Sequence, residues 1–174
     1  MAFDYPALFK IIQDRFGDAI LSVSEFRSQY VLRIKREAVV QIMTFLKNDA
    51  TMKFDMLTDL TCLDSLRLPP DMLKEFPERF AVVYQLTSIS QNVRLRVKAY
   101  VSEDPCEIDS VSSLWASANW AEREAFDFFG VVFKGHPDLR RILMPDNYEG
   151  HPLRKDYPLK GRGERDNFPK FVQA

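Results

Sequence analysis

Apolar positions repeat along the first two thirds of the chain and then lose their period. Behind Asp4 and Pro6, the residues Leu8, Ile11, Ile12 and Phe16 recur at the spacing of one helix face, and Gly17 closes the run. A short strand is expected over 19–24. Residues 29–35 alternate, with Tyr30, Leu32 and Ile34 inward and Gln29, Arg33 and Lys35 outward or at the rim. Helical spacing returns over 37–47 through Val39, Val40, Met43 and Leu46, and Asn48-Asp49 ends it. The stretch 52–63 mixes apolar residues with Asp55 and Asp59 and reads as a strand. Pro69, Pro70 and Pro77 make 66–77 a loop. Residues 79–89 are β-branched and aromatic, Ser90-Gln91-Asn92 is a polar turn, and 93–101 alternates throughout. That is an antiparallel hairpin with Val93, Leu95, Val97, Ala99 and Val101 on one face. Arg94, Arg96, Lys98 and Tyr100 lie on the other, which meets water or a partner.

The order helix, strand, strand, helix, strand, strand, strand predicts an α+β fold over 1–101. A two-layer domain of this kind has a mostly antiparallel or mixed sheet covered by helices on one face. Short helices follow over 102–130. Asp109 or Ser110 can cap one that carries Val111, Leu114 and Trp115. Asn119 and Glu122 have capping-box spacing for another, with Ala121, Ala125, Phe126 and Phe129 packed and Arg123 and Asp127 paired on its outside.

From 131 to 174 no period survives, and an extended segment that binds a partner is expected. The core of this region is 120–157, which holds Gly135-His136-Pro137 and Gly150-His151-Pro152, each followed by basic side chains. It has too many charges for burial and too many prolines for regular structure. It is also too apolar for a solvated tail, with Phe133, Leu139, Ile142, Leu143, Met144, Tyr148, Leu153 and Tyr157. Residues before proline avoid the α region, so His136, His151 and Tyr157 are expected to be extended. Apolar anchors and interleaved charges together imply a surface that another protein covers. Arg140, Arg141 and Arg154 are then expected to pair with a partner's carboxylates. The last stretch is a polar tail whose Phe168 and Phe171 can pin it to a surface.

Composition narrows the classes. The chain has 174 residues and a net charge of −1, so it has no global electrostatic case for nucleic acid or an anionic membrane. The N-terminus lacks a signal-peptide pattern, and no apolar run approaches the ~18 residues of a membrane span. A soluble chain is expected, with no direct membrane insertion. Cys62 and Cys106 read as free thiols in a reducing compartment. An iron–sulfur cluster takes about four thiolates, more than this chain has.

The familiar enzyme signatures are missing: no GxSxG, GxGxxG or Walker-type loop is present. His136, His151, Asp138 and Asp156 offer metal-ligand chemistry, which would suit a metal-dependent hydrolase. The plainer reading is histidines bonded to backbone carbonyls or a carboxylate at an interface. Glu122, Glu124 and Asp127 suggest a catalytic carboxylate set, but on one short helix Glu122 and Glu124 point apart, which suits a salt-bridged surface. Arg140-Arg141 and Arg154-Lys155 beside Tyr148 and Tyr157 suit RNA, yet Asp138, Asp146, Glu149 and Asp156 weaken that field.

The run Trp120-Ala121-Glu122-Arg123-Glu124, then Asp127, Gly130-Val131-Val132-Phe133 and 135–143, resembles the signature of the thirty-kilodalton subunit (the C subunit) of respiratory complex I. The block Glu149-Gly150-His151-Pro152-Leu153-Arg154-Lys155-Asp156-Tyr157-Pro158 is similar to the next block of that family's pattern. The resemblance implies a non-catalytic structural subunit in the peripheral arm of a proton-translocating NADH:quinone oxidoreductase. It would sit on the cytoplasmic side of a bacterial inner membrane and brace the forty-nine-kilodalton-type and twenty-kilodalton-type subunits. No flavin, cluster or metal is implied in this chain; FMN and iron–sulfur clusters belong to partner subunits. The interface implied comprises Trp120, Glu122, Arg123, Glu124, Asp127, Phe133, His136, Leu139, Arg140, Arg141, Leu143, His151, Leu153, Arg154, Asp156 and Tyr157.

Overall fold

A computed structural model describes residues 4–50 and 52–163. Its order is α1 (Tyr5–Phe16), β1 (Ile20–Phe26), β2 (Gln29–Lys35), α2 (Val39–Asn48), β3 (Met56–Asp64), α3 (Pro70–Leu73), β4 (Phe80–Ser88), β5 (Val93–Val101), β6 (Glu107–Asp109), α4 (Ala118–Phe129) and β7 (Val132–Lys134). The five-stranded sheet runs β1-β2-β5-β4-β3. Its neighbours are antiparallel except β2 and β5, which pair in parallel with Leu32 opposite Val97. This is the mixed-sheet α+β fold expected from the order of elements.

Asp4 caps α1 by accepting from Ala7 N at 2.9 Å, and Gly17 ends it at φ 45°. Leu8 and Ile12 bury completely, whereas Ile11, expected on the same face, stays 46% exposed. The stripe of α2 packs Val39, Ile42, Met43 and Leu46 onto Leu32, Ile34, Val97 and Ala99 of the sheet. Each such side chain contributes about 1.5–3 kcal/mol by leaving water. The third strand starts at Met56 rather than near residue 52; Met52 and Phe54 are buried ahead of it without joining the ladder.

The second sheet face is not simply wet. The loop 66–77, which includes one turn of helix, folds over part of it. Tyr100 Oη donates to Glu75 O at 2.6 Å, Phe76 meets the Tyr100 ring edge-on, and Arg33 pairs with Glu75 at 2.5 Å. Arg33, expected outward, is therefore buried against its own chain. Both cysteines are free thiols, Cys62 buried and Cys106 half-buried.

Beyond residue 101 the core continues. Ile108, Val111, Trp115, Ala118, Ala125, Phe129, Val131 and Phe133 join the same buried cluster as the sheet. Strands β6 and β7 pair in parallel, Ile108 opposite Phe133, a ladder that no period in the sequence announces. The helix expected around 111–115 is a pair of turns instead, in which Leu114 N and Trp115 N donate to Val111 O.

Candidate partner interface

Helix α4 positions the charged segment. Ala118, Glu122, Ala125 and Phe129 form its inner stripe, while Trp120 and Glu124 project outward. The expected capping box does not form, because Glu122 turns into the core. It accepts from Ser110 Oγ at 2.5 Å and from Val111 N at 2.7 Å. Burial pushes its carboxyl up to about 7, even though both hydrogen bonds favour the charged form.

Arg123 and Asp127 do not pair along the outside of the helix. Arg123 stacks over Trp120 and donates to the carbonyls of Arg140 and Arg141, both at 3.1 Å. Asp127 is fully buried, and its Oδ2 accepts from three successive backbone amides: Ile142 at 3.1 Å, Leu143 at 2.8 Å and Met144 at 2.9 Å. Its other oxygen takes Arg141 Nη1 at 2.7 Å. Burial opposes the charge, but these bonds outweigh it and hold the Asp127 carboxyl below the usual range.

Gly130 closes the helix at φ 75°, and a Cβ there would lie 2.5 Å from His151 Nε2. Only glycine admits the His151 ring this close to the helix end. His151 Nδ1 donates to Asp127 O at 3.0 Å, and burial pulls the ring's pKa down. Arg154 Nε donates to Phe129 O at 2.6 Å and its guanidinium lies over Phe80. Leu153 N donates to Phe128 O at 3.1 Å. His136 Nδ1 accepts from Asp138 N at 3.0 Å, which leaves Nε2 to donate to Asn119 O at 3.0 Å.

The far end is latched to the sheet. Asp64 is buried, bonded by Arg79 and by Lys155 N at 2.8 Å. Arg79 also holds Asp156 at 2.9 Å and pairs with Glu103. Tyr148 and Tyr157 share a hydroxyl contact at 2.5 Å.

Charge does not bar burial of this segment, contrary to the expectation from its composition. Glu122, Arg123, Asp127, Arg141 and Arg154 use their charge on this chain's own backbone and side chains. Nor do the prolines leave the segment extended. Tyr148, Arg154, Tyr157 and Gly161 each donate an amide three residues back, so it winds in turns. Phe133 fills the core and Leu139 packs at its margin. A different set points outward. Trp120 is 64% and Leu143 59% exposed, with Val132, Leu153 and Leu159 also open, and Arg140 pairs with exposed Asp138. Val132 and Leu159 are additions to the expected interface, and no period in the sequence marks either. Phe168 and Phe171 lie outside the described residues. Among the described residues no three His, Cys, Asp or Glu side chains converge as metal ligands. None of the described helices is long and apolar enough to cross a membrane.

Comparison with known proteins bears on this arrangement. Residues 32–163 match the family described as respiratory-chain NADH dehydrogenase, 30 Kd subunit. The C subunit of NADH-quinone oxidoreductase from Geobacter metallireducens is 50% identical over 152 residues, 87% of this chain and 88% of that protein. Its counterpart in Geotalea uraniireducens is 45% identical over 161 residues, 92% of each chain. A solved trypsin-resistant fragment of Nqo5 superposes with a TM-score of 0.65 at 34% identity, covering 76% of this chain and 98% of the fragment. A chain of the membrane-bound sulfane sulfur reductase, an archaeal respiratory membrane complex, shares the fold, with a TM-score of 0.71 at 19% identity over 97% of this chain and 95% of that one. The chain belongs to the family of the 30 Kd subunit of respiratory-chain NADH dehydrogenase.

Proposed function

We propose that this chain is a non-catalytic bracing subunit in the peripheral arm of a proton-translocating NADH:quinone oxidoreductase. Family membership makes it a subunit of NADH:quinone oxidoreductase, an enzyme of the respiratory chain. The finer reading is that it grips the forty-nine-kilodalton-type and twenty-kilodalton-type subunits on the cytoplasmic side of the membrane and holds no flavin, cluster or metal itself.

One observation carries it. Residues 120–159 tie Glu122, Arg123, Asp127, Arg141 and Arg154 to this chain's own groups and leave Trp120, Val132, Leu143, Leu153 and Leu159 exposed. Large apolar groups held outward on a fixed backbone are what a partner covers, and they lose little further entropy on binding. Both histidine rings are already bonded to backbone groups, which disfavours the hydrolase reading.

The test is to exchange Trp120→Glu, Leu143→Asp and Leu153→Asp in the host. The exposed sites predict an unchanged melting temperature for the isolated chain, because surface changes cost within about 0.5 kcal/mol. Co-purification with the forty-nine-kilodalton-type subunit should be lost. Normal assembly of the triple variant would overturn the reading.

A further inference from the structure

The carboxyl of Glu122 stands at the inner end of a short file of hydroxyls. Glu122 is fully buried, with Oε2 2.5 Å from Ser110 Oγ. Ser110 Oγ lies 2.7 Å from Ser112 Oγ, and Ser112 is partly exposed. The file is fixed at both levels: Val111 N holds Oε1 at 2.7 Å, and Ser112 N holds Ser110 Oγ at 3.1 Å.

The groups facing Glu122 leave its charge uncompensated. From the loop after β7, His136 Nε2 approaches to 4.0 Å, but its hydrogen is given to Asn119 O. From β4, the Tyr84 phenol is fully buried and feels the carboxylate, which helps to raise its pKa, and its hydroxyl has no hydrogen-bond partner among the described residues. Asp109 at the end of β6 is occupied by Lys134 at 3.6 Å. On α4 itself, Arg123 and Asp127 are committed to 140–144. No lysine or arginine among the described residues comes within 4.0 Å of the Glu122 carboxyl.

We propose that Glu122, Ser110 and Ser112 form a proton-exchange relay, through which a buried carboxyl takes up and releases one proton without local unfolding. On release, Glu122 Oε2 gives its hydrogen to Ser110 Oγ. The Ser110 hydroxyl hydrogen passes to Ser112 Oγ, and that of Ser112 passes to water. One O–H bond breaks and one forms at each serine, so both end neutral; Glu122 becomes a carboxylate and the solvent gains one proton. Rotation of the two hydroxyls resets the file. Burial without a cation disfavours the carboxylate, while the serine and amide donors favour it, so both forms are populated near pH 7.

The experiment is a carboxyl-carbon NMR titration of the full chain labelled in glutamate, from pH 5 to 9, with amide spectra at each point. One glutamate resonance should titrate near 7 while the amides of Leu32 and Tyr84 stay in place, and it should be missing in Glu122→Gln. If that variant fails to fold, through-bond correlation to the Glu122 amide assigns the native resonance. Ser110→Ala removes a donor to the charged form and should move the midpoint higher. Ser112→Ala should keep the midpoint but slow the exchange, broadening the resonance. A flat Glu122 signal across the range, a shift seen only as amide dispersion collapses, or unchanged exchange in Ser112→Ala would overturn the relay.

Discussion

The sheet region and the segment 102–159 are stabilised by opposite uses of charge. In the sheet, strand ladders satisfy the backbone, so a charged side chain such as that of Arg94 can stand in solvent, while Arg33 and Asp64 are buried against their ion-pair partners. In the later segment, outside α4 and the short β6–β7 pair, proline and glycine keep the chain out of regular ladders. There, side chains take over: Asp127 receives three consecutive amides, and Arg123, Arg141, Arg154 and His151 cover carbonyls of 127–150. A buried backbone group without a partner costs about 1–3 kcal/mol, so each of these charges is tied to a conformation rather than to a surface. A charge-rich segment is thus not by its composition a solvated or partner-borne one. What matters is whether its own backbone lacks hydrogen-bond partners.

The contrast breaks most sharply at Asp127. Asp127→Ala takes the shared acceptor from three part-buried amides and the carboxylate from Arg141, which keeps its bonds to Asp127 O and Gly150 O, and should cost about 3–5 kcal/mol in urea unfolding. Arg94→Ala in the sheet should stay within about 0.5 kcal/mol in the same measurement.

Next comes pH. Glu122 binds its proton more tightly folded, at about 7 against 4.5 unfolded, so its contribution is present below 4.5 and lost as pH rises through 7. Asp127 and His151 run the other way. Their folded values are depressed, so what they contribute is present above 3.8 and 6.5 respectively and is lost as pH falls through the folded values. Glu122→Gln should therefore gain about 2 kcal/mol relative to the native chain between pH 5 and 8, read from urea midpoints. A difference independent of pH would remove Glu122 from the core's proton balance.

The smallest effect separates two glycines. Gly130→Ala and Gly135→Ala both force a side chain to positive φ, at 75° and 77°. Only Gly130 also faces His151 and Arg154, whereas a Cβ at Gly135 meets open space. Thermal unfolding should show Gly130→Ala costing at least about 1 kcal/mol more. Equal costs would mean that His151 yields.

Much of the sheet is legible in the sequence because its signal is local and repeated. Alternation over 93–101 and the helical stripes of α1 and α2 recover the elements and most of the core. The ladder between β6 and β7 escapes because each strand has three residues, too few for a period, and they pair across the whole of α4. Arg33 escapes because its cover comes from 66–77, a loop in sequence terms. In the candidate interface the residues are recognisable but not their direction. Glu122 does leave a trace, since it falls on the stripe of Ala118, Ala125 and Phe129. Asp127 and Arg141 leave none: apart from their own ion pair, their bonds go to backbone amides and carbonyls, which nearly every residue type presents alike.

Native-state hydrogen exchange of the isolated full chain tests the inward use of charge most directly. If Asp127 holds the amides of Ile142, Leu143 and Met144, they should exchange as slowly as those of α4 and lose that protection in Asp127→Ala. Exchange of these three at the rate of an unstructured chain would show that the segment waits for a partner to order it, and would contradict the self-locked strap.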